Sequence, residues 1–163
     1  MKRVLIVCKG NTCRSPMAVA LLTDLLRRRG HDSLVQVHSA GIWATEGQPA
    51  TADAQKAMRE RGLDVSGHKA HLLNLEDIRQ ADLLITMERS IAEAIRIEAP
   101  ESIGKVYTLG DLADDPRDVE DPVGGTLADY RHTVEILQGM LQRAYGRIMS
   151  ILELPNCTSC QPG

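Results

Sequence analysis

The chain has no phenylalanine, one tryptophan and three tyrosines among 163 residues, an aromatic share of 2%. A core of stacked rings is therefore excluded, and the interior must come from Leu, Ile, Val, Ala and Met. Any aromatic wall around a ligand has to be drawn from Trp43, Tyr107, Tyr130 or Tyr145. Long apolar runs are missing too. Met1-Lys2-Arg3 leads into Val4–Cys8, which is too short for a secretory signal and is ended by Lys9-Gly10-Asn11. No stretch approaches the roughly 20 apolar residues of a membrane helix. Charge of one sign is also scarce. A net charge of −3 argues against nucleic acid or an anionic membrane as the main partner. The expected location is the cytoplasm, where thiols stay reduced. The length suits one domain, residues 1–154, followed by a polar tail at 155–163. No linker, repeat or low-complexity segment interrupts it.

Strands and helices are expected to alternate. Residues 3–8 form a Val- and Ile-rich run that suits a strand buried on both faces. Ser15-Pro16 reads as the cap and first position of a helix, with Met17, Leu21, Leu22 and Leu25 on a buried stripe and Gly30 as stop. Residues 34–38, 82–87 and 105–109 read as three further strands, and 49–61 and 91–98 as helices. The last helix starts at Thr126, with Asp129 three residues on as in a capping box. Its apolar positions 127, 130, 134, 137, 141, 145, 148 and 152 step by three or four. This order defines an α/β protein with a mostly parallel sheet.

The chemistry concentrates between the first strand and first helix, in Cys8-Lys9-Gly10-Asn11-Thr12-Cys13-Arg14-Ser15. Ligands of α/β sheets bind beyond the carboxyl ends of strands, and a helix N-terminus attracts anions. Gly10 is expected to supply a backbone conformation closed to other residues, so that successive amides converge on an anion. The same amides and helix dipole are expected to lower the pKa of Cys8 and make it a nucleophilic thiolate. Arg14 can hold two phosphate oxygens, Ser15 can donate to the thiolate, and Asn11 can brace the loop. Two plainer readings stand beside this one. Cys8 can be a buried strand-end cysteine with Arg14 on the surface, and Cys8 with Cys13 can be half a metal site, although no Cys/His pair lies nearby to complete it. A Walker A loop is excluded, because no Gly-x4-Gly-Lys-Ser/Thr string occurs.

The string Cys-x-Gly-Asn-x-Cys-Arg-Ser-Pro resembles the signature of the low-molecular-weight protein tyrosine phosphatases. Four further segments agree with that family in order: Ser39-Ala40-Gly41, Gly62-Leu63-Asp64-Val65 with His68, the run Ala81–Met87, and Asp121-Pro122. The resemblance extends to about residue 152. It implies a four-stranded parallel sheet in the order 2-1-3-4 flanked by helices, with the phosphate loop between strand 1 and helix 1. It further implies a phosphocysteine on Cys8, phosphate held by residues 9–15 with Arg14, and Asp121 as general acid and then base. No metal or other cofactor is required. His68 corresponds to a histidine that supports the loop, with a surface role as the plainer reading. Asp115-Pro116 is the competing Asp-Pro pair and reads as a turn. The resemblance also implies a reversible disulfide between Cys8 and Cys13 under oxidation.

Within the family, Thr12 with Asp121-Pro122 and Gly124-Gly125 resembles the bacterial protein arginine phosphatases. Val123 departs from that branch, which usually carries Phe there. Thr12 places a hydroxyl where tyrosine-directed members present a bulky apolar residue, and Trp43 is the one aromatic expected at the slot. Asp111, Asp114, Asp115, Asp118 and Glu120 are expected to favour a cationic substrate by their summed field, though most read equally well as solvated loop. The expected activity is dephosphorylation of phosphoarginine in proteins, by a monomer. Phosphotyrosine is the alternative, with arsenate reduction or non-catalytic anion binding more remote. Arsenate reduction of the thioredoxin-coupled type needs mid-chain cysteines, and residues 14–156 contain none. Cys157-x-x-Cys160 reads as part of the tail, with a redox or metal role as the alternative.

Overall fold

The computed structural model describes residues 1–155, so Cys157 and Cys160 lie outside the described residues. In chain order the elements are β1 (Lys2–Cys8), α1 (Arg14–Arg28), β2 (Val35–Gly41), α2 (Ala52–Arg59), α3 (Leu75–Gln80), β3 (Leu83–Thr86), α4 (Arg89–Glu98), a 3-10 turn (Pro100–Lys105), β4 (Val106–Thr108), α5 (Leu109–Leu112) and α6 (Leu127–Ile151). The four strands form one parallel sheet in the order β2-β1-β3-β4, as the resemblance implied.

β1 explains why the sheet is covered on both sides. Its side chains alternate between faces, and both faces are buried. Val4, Ile6 and Cys8 join α1, α2 and α6 in one core. Leu5 and Val7 join Ile78, Ile91 and Ile95 of α3 and α4 in a second, smaller one. Of the tryptophan and tyrosine rings only Tyr130 and Tyr145 are buried among the described residues, so aliphatic side chains fill most of the interior. Leu22 and Leu137 are fully buried, and each such side chain stabilises the fold by about 1.5–3 kcal/mol relative to exposure.

The helix ends differ from the sequence reading in three places. Ser15 is not the cap of α1. The helix begins at Arg14, Cys13 occupies the cap position, and no side chain caps it, because the Ser15 hydroxyl is bonded elsewhere. α2 is shorter than 49–61, since Thr51 caps it by accepting from Ala54 N–H and Gly62 turns away at φ 75°. α3 has its own capping box, Asn74 with Asp77, a signal present in the sequence but masked by the helix's brevity. The strands run Val35–Gly41, Leu83–Thr86 and Val106–Thr108, one to three residues away from the limits expected. α6 begins after Thr126 with its full capping box, as expected. Among the described residues, no helix is long and apolar enough to cross a membrane.

Candidate active site

The loop from Cys8 to Arg14 lies beyond the carboxyl end of β1 and lines a cavity of about 260 Å³ together with Trp43, Asp121 and Val123. Its carbonyls are tied outward. Those of Cys8 and Lys9 accept from Ile42 and Trp43 N–H at 3.1 and 3.0 Å, and that of Thr12 accepts from Thr51 N–H at 3.0 Å. Among the described residues, the amides of Gly10, Thr12 and Cys13 donate to no carbonyl. Converging amides of this kind, at the head of a 15-residue helix, form a site for an anion.

The conformational strain of the loop sits on Asn11, not on Gly10 as the sequence suggested. Asn11 has φ 56°, whereas Gly10 stays outside the left-handed region. Asparagine tolerates this region better than most side chains, and four hydrogen bonds hold it there. Its Nδ2 donates to Ser15 Oγ at 2.7 Å and Ser39 Oγ at 2.8 Å. Its Oδ1 accepts from His71 N–H at 2.9 Å, and its carbonyl lies 2.6 Å from His68 Nε2. Gly41 is required for the same packing: a Cβ there would lie 2.6 Å from the Lys9 carbonyl and 2.9 Å from Asn11 N.

Cys8 is 2% exposed, with Ser15 Oγ 2.9 Å from its sulfur. Because Ser15 Oγ already accepts from Asn11, its hydroxyl hydrogen is free to point at Cys8. Burial pushes the Cys8 thiol up, against the pull of the Ser15 hydroxyl, the Ser15 and Asn11 amides and the Arg14 charge. This corrects the expectation of a thiol lowered by its loop, since desolvation of a buried thiolate outweighs those donors.

Arg14 is 1% exposed and turned into the site, not onto the surface. Its Nη1 donates to Glu88 Oε1 at 2.6 Å and to the Val119 carbonyl at 2.8 Å. Its Nη2 is buried without a hydrogen-bond partner among the described residues and stands 3.6 Å from Asp121 Oδ2. A buried guanidinium N–H with no acceptor is costly, and an anion in the cavity supplies one. Glu88 was missed in the sequence, because an acidic residue just beyond a strand carries no motif of its own.

The structure brings Asp121, and not Asp115, to the loop. Asp121 Oδ1 accepts from Val123 N–H at 3.0 Å, which orients the carboxyl. Asp115 is paired with Arg117 and Arg143, and hydrogen bonds from Arg117 lower its pKa to about 2. Three members of the acidic stretch, Asp111, Asp114 and Asp115, are paired with arginines. Asp111 pairs with Arg89, Asp114 with Arg147, and Asp118 accepts from Arg89 N–H. Distant arginines thus oppose the charges of Asp111, Asp114 and Asp115, which look unopposed in the linear chain.

Thr12, Trp43 and Val123 share the cavity. Trp43 is 71% exposed, with Lys9 Nζ 5.0 Å from its ring centre, a cation–π contact. Cys13 lies behind the loop, 3.3 Å from Tyr130 Oη and 3.7 Å from Thr51 Oγ1. Burial and Cys13 push the Tyr130 phenol up to about 12, so it remains a donor.

The loop thus sets a buried thiol beside an unpartnered guanidinium N–H and a carboxyl, a setting suited to an oxyanion. Residues 3–149 match the family of low molecular weight phosphotyrosine protein phosphatases, and the chain belongs to that family. A protein-arginine-phosphatase of Geobacillus stearothermophilus is 35% identical over 86% of this chain and 92% of its own. A probable low molecular weight protein-tyrosine-phosphatase EpsP of Ralstonia nicotianae is 36% identical over 85% of this chain and 90% of its own. Among solved structures, the YwlE arginine phosphatase from G. stearothermophilus superposes with a TM-score of 0.82 at 34% identity, covering 94% of this chain and 97% of that one. The low molecular weight protein tyrosine phosphatase from T. tengcongensis gives 0.85 at 37% identity, covering 90% and 99%. The chain is an enzyme of this cysteine-dependent class, whose members include arginine and tyrosine phosphatases.

Proposed function

We propose that this enzyme removes phosphate from phosphoarginine in cytoplasmic proteins through a phosphocysteine on Cys8. The observation that carries the arginine reading is the wall of the cavity. It has the Thr12 hydroxyl and the Asp121 carboxyl beside the loop, with Trp43 as its one aromatic side chain. A guanidinium leaving group needs hydrogen-bond acceptors, whereas a phenol needs an apolar slot. The rim formed by Trp43 and Val123 favours the second reading, phosphotyrosine.

The phosphate lies on the loop amides of residues 9–15 and accepts from Arg14 Nη2. Binding a phosphate dianion draws the Cys8 proton onto a phosphate oxygen, so a thiol raised by burial still becomes a thiolate in the complex. The sulfur then attacks phosphorus in line, forming the S–P bond as the P–N bond of phosphoarginine breaks. Asp121, as a carboxylic acid, gives its proton to the departing nitrogen. In the second step the Asp121 carboxylate takes a proton from water, water oxygen bonds to phosphorus, and the S–P bond breaks. Ser15 and Arg14 stabilise the released thiolate, which takes back the proton carried by the phosphate oxygen as inorganic phosphate leaves. The residues come from one chain, so a monomer suffices, and no step calls on a metal or other cofactor.

The test is a comparison of kcat/KM on phosphoarginine and phosphotyrosine peptides of the same sequence. The arginine reading predicts the larger value for phosphoarginine. Turnover of phosphotyrosine alone refutes it, and turnover that survives Cys8→Ser refutes the phosphocysteine.

A further inference from the structure

A second cavity, larger than the one above the loop, borders the described residues. It measures about 470 Å³ and includes Arg3, His38, His68, Lys69, His71 and Asp77 in its wall, and two of these, His68 and His71, reach Asn11 of the loop. His71 matters most in this group. Its main chain is tied twice to the site: its N–H donates to Asn11 Oδ1 at 2.9 Å, and its carbonyl accepts from Gly41 N–H at 2.9 Å. Its ring spans two carboxylates, with Nε2 2.7 Å from Asp77 Oδ2 on α3 and Nδ1 3.1 Å from Glu46 Oε1 in the loop before α2. Glu46 Oε1 also accepts from Leu72 N–H at 2.6 Å.

We propose that His71 is a positioning residue for the phosphate loop, whose doubly hydrogen-bonded imidazolium staples residues 71 and 72 between Glu46 and Asp77 and thereby keeps the His71 amide on Asn11. This inference rests on the phosphatase reading of the same loop.

The physical reason is donor count. Two carboxylates, one on each ring nitrogen, need two N–H donors, and only the imidazolium has both. The neutral ring satisfies one carboxylate and turns a lone pair on the other. Segment 71–72 then loses one of its two anchors, and the left-handed Asn11 loses support for its Oδ1. Burial alone lowers the basicity of His71, but hydrogen bonds and charge from Asp77, then Glu46, outweigh it and leave its pKa raised. The charged and titratable groups facing it are Glu46, Asp77, Arg3, His38, His68 and Lys69. The sign follows directly. The staple's contribution is fully present below the ordinary histidine pKa and is lost as pH rises through the raised value. Arginine at this position would keep its donors at every pH.

The experiment compares wild type, His71→Arg and His71→Gln from pH 5.5 to 9, measuring kcat/KM on p-nitrophenyl phosphate and the affinity for inorganic phosphate by calorimetry. Ratios to wild type cancel every titration that the three proteins share, that of the phosphate included. Because the His71 side chain is 40% exposed, a modest effect of about fivefold is expected. His71→Gln should fall about fivefold below wild type at pH 6 and converge with it at pH 9. His71→Arg should match wild type at pH 6 and exceed it at pH 9. Ratios that stay flat with pH overturn the proposal. If His71→Gln does not fold, the ratio of His71→Arg to wild type decides alone. A wild type that binds phosphate without turnover refutes the catalytic reading, while the binding ratios still decide the role of His71. A wild type that neither binds nor turns over refutes both.

Discussion

Glu88→Gln isolates how much the fixed direction of Arg14 contributes. Arg14 is 1% exposed, and its Nη1 makes two bonds, at 2.6 Å to Glu88 and 2.8 Å to the Val119 carbonyl. Glutamine keeps the side-chain length and one carbonyl acceptor but removes the charge. A hydrogen bond to a charged group nets about 1.5–3 kcal/mol and a neutral one about 0.5–1.5 kcal/mol. Stripping a buried charge of its partner outright costs about 3–5 kcal/mol, but the Glu88 side chain is 26% exposed, so water screens part of the pair. The expected loss is about 1–2 kcal/mol, which corresponds to a fall in kcat/KM of about 5–30-fold. The other carboxylate near Arg14 is Asp121, at 3.6 Å from Nη2, so a guanidinium freed from Glu88 is drawn toward the general acid. The assay is steady-state hydrolysis of p-nitrophenyl phosphate, with urea unfolding of the same samples to separate lost stability from lost orientation. A kcat/KM within twofold of wild type, with unchanged stability, refutes the view that Glu88 aims Arg14.

Four more outcomes are expected, the last of them from the family resemblance. Thr12→Ile should shift preference from phosphoarginine toward phosphotyrosine by about 10–100-fold in relative kcat/KM, from an unmatched polar contact of about 1–3 kcal/mol; equal ratios remove Thr12 as the determinant. Asp121→Asn should retain phosphate affinity but lower kcat by about 10²–10⁴-fold on leaving groups that need protonation, with little change for p-nitrophenol in the first step, as burst kinetics would report. Gly41→Ala drives a methyl group into the Lys9 carbonyl and should cost about 1–3 kcal/mol of stability, read as a lower urea midpoint; an unchanged midpoint contradicts the close packing of β2 on the loop. Peroxide treatment should give a Cys8–Cys13 disulfide by mass spectrometry, with activity restored by thiol, whereas sulfonic acid on Cys8 as the sole product argues against a protective role for Cys13.

What could be read from the chain was local or periodic. The capping box at Thr126 and Asp129 lies within one turn, and the steps of three and four along α6 report a single buried face. The helices and strands followed from such signals, apart from α3 and the short turn-like pieces near β4, which are too brief to show periodicity. Cys8, Arg14 and Ser15 were legible because one loop holds them in sequence. The misplaced details had a common origin. Gly10 was chosen for the left-handed position on intrinsic freedom alone, but Ser39, His68 and His71 hold Asn11 there from other segments.

The amino-acid sequence by itself determined the loop, the order of α/β elements around it and the family. Those depend on residues adjacent in the chain and on patterns repeated along it. Only the tertiary structure decided which groups meet across that loop: Glu88 and Val119 on Arg14, and His71 behind Asn11. It also reversed two electrostatic expectations. The buried Cys8 thiol is raised, and Asp111, Asp114 and Asp115 of the acidic stretch are matched by arginines from α4 and α6. Charge and burial act through distance in space, and separation along the chain does not record that distance.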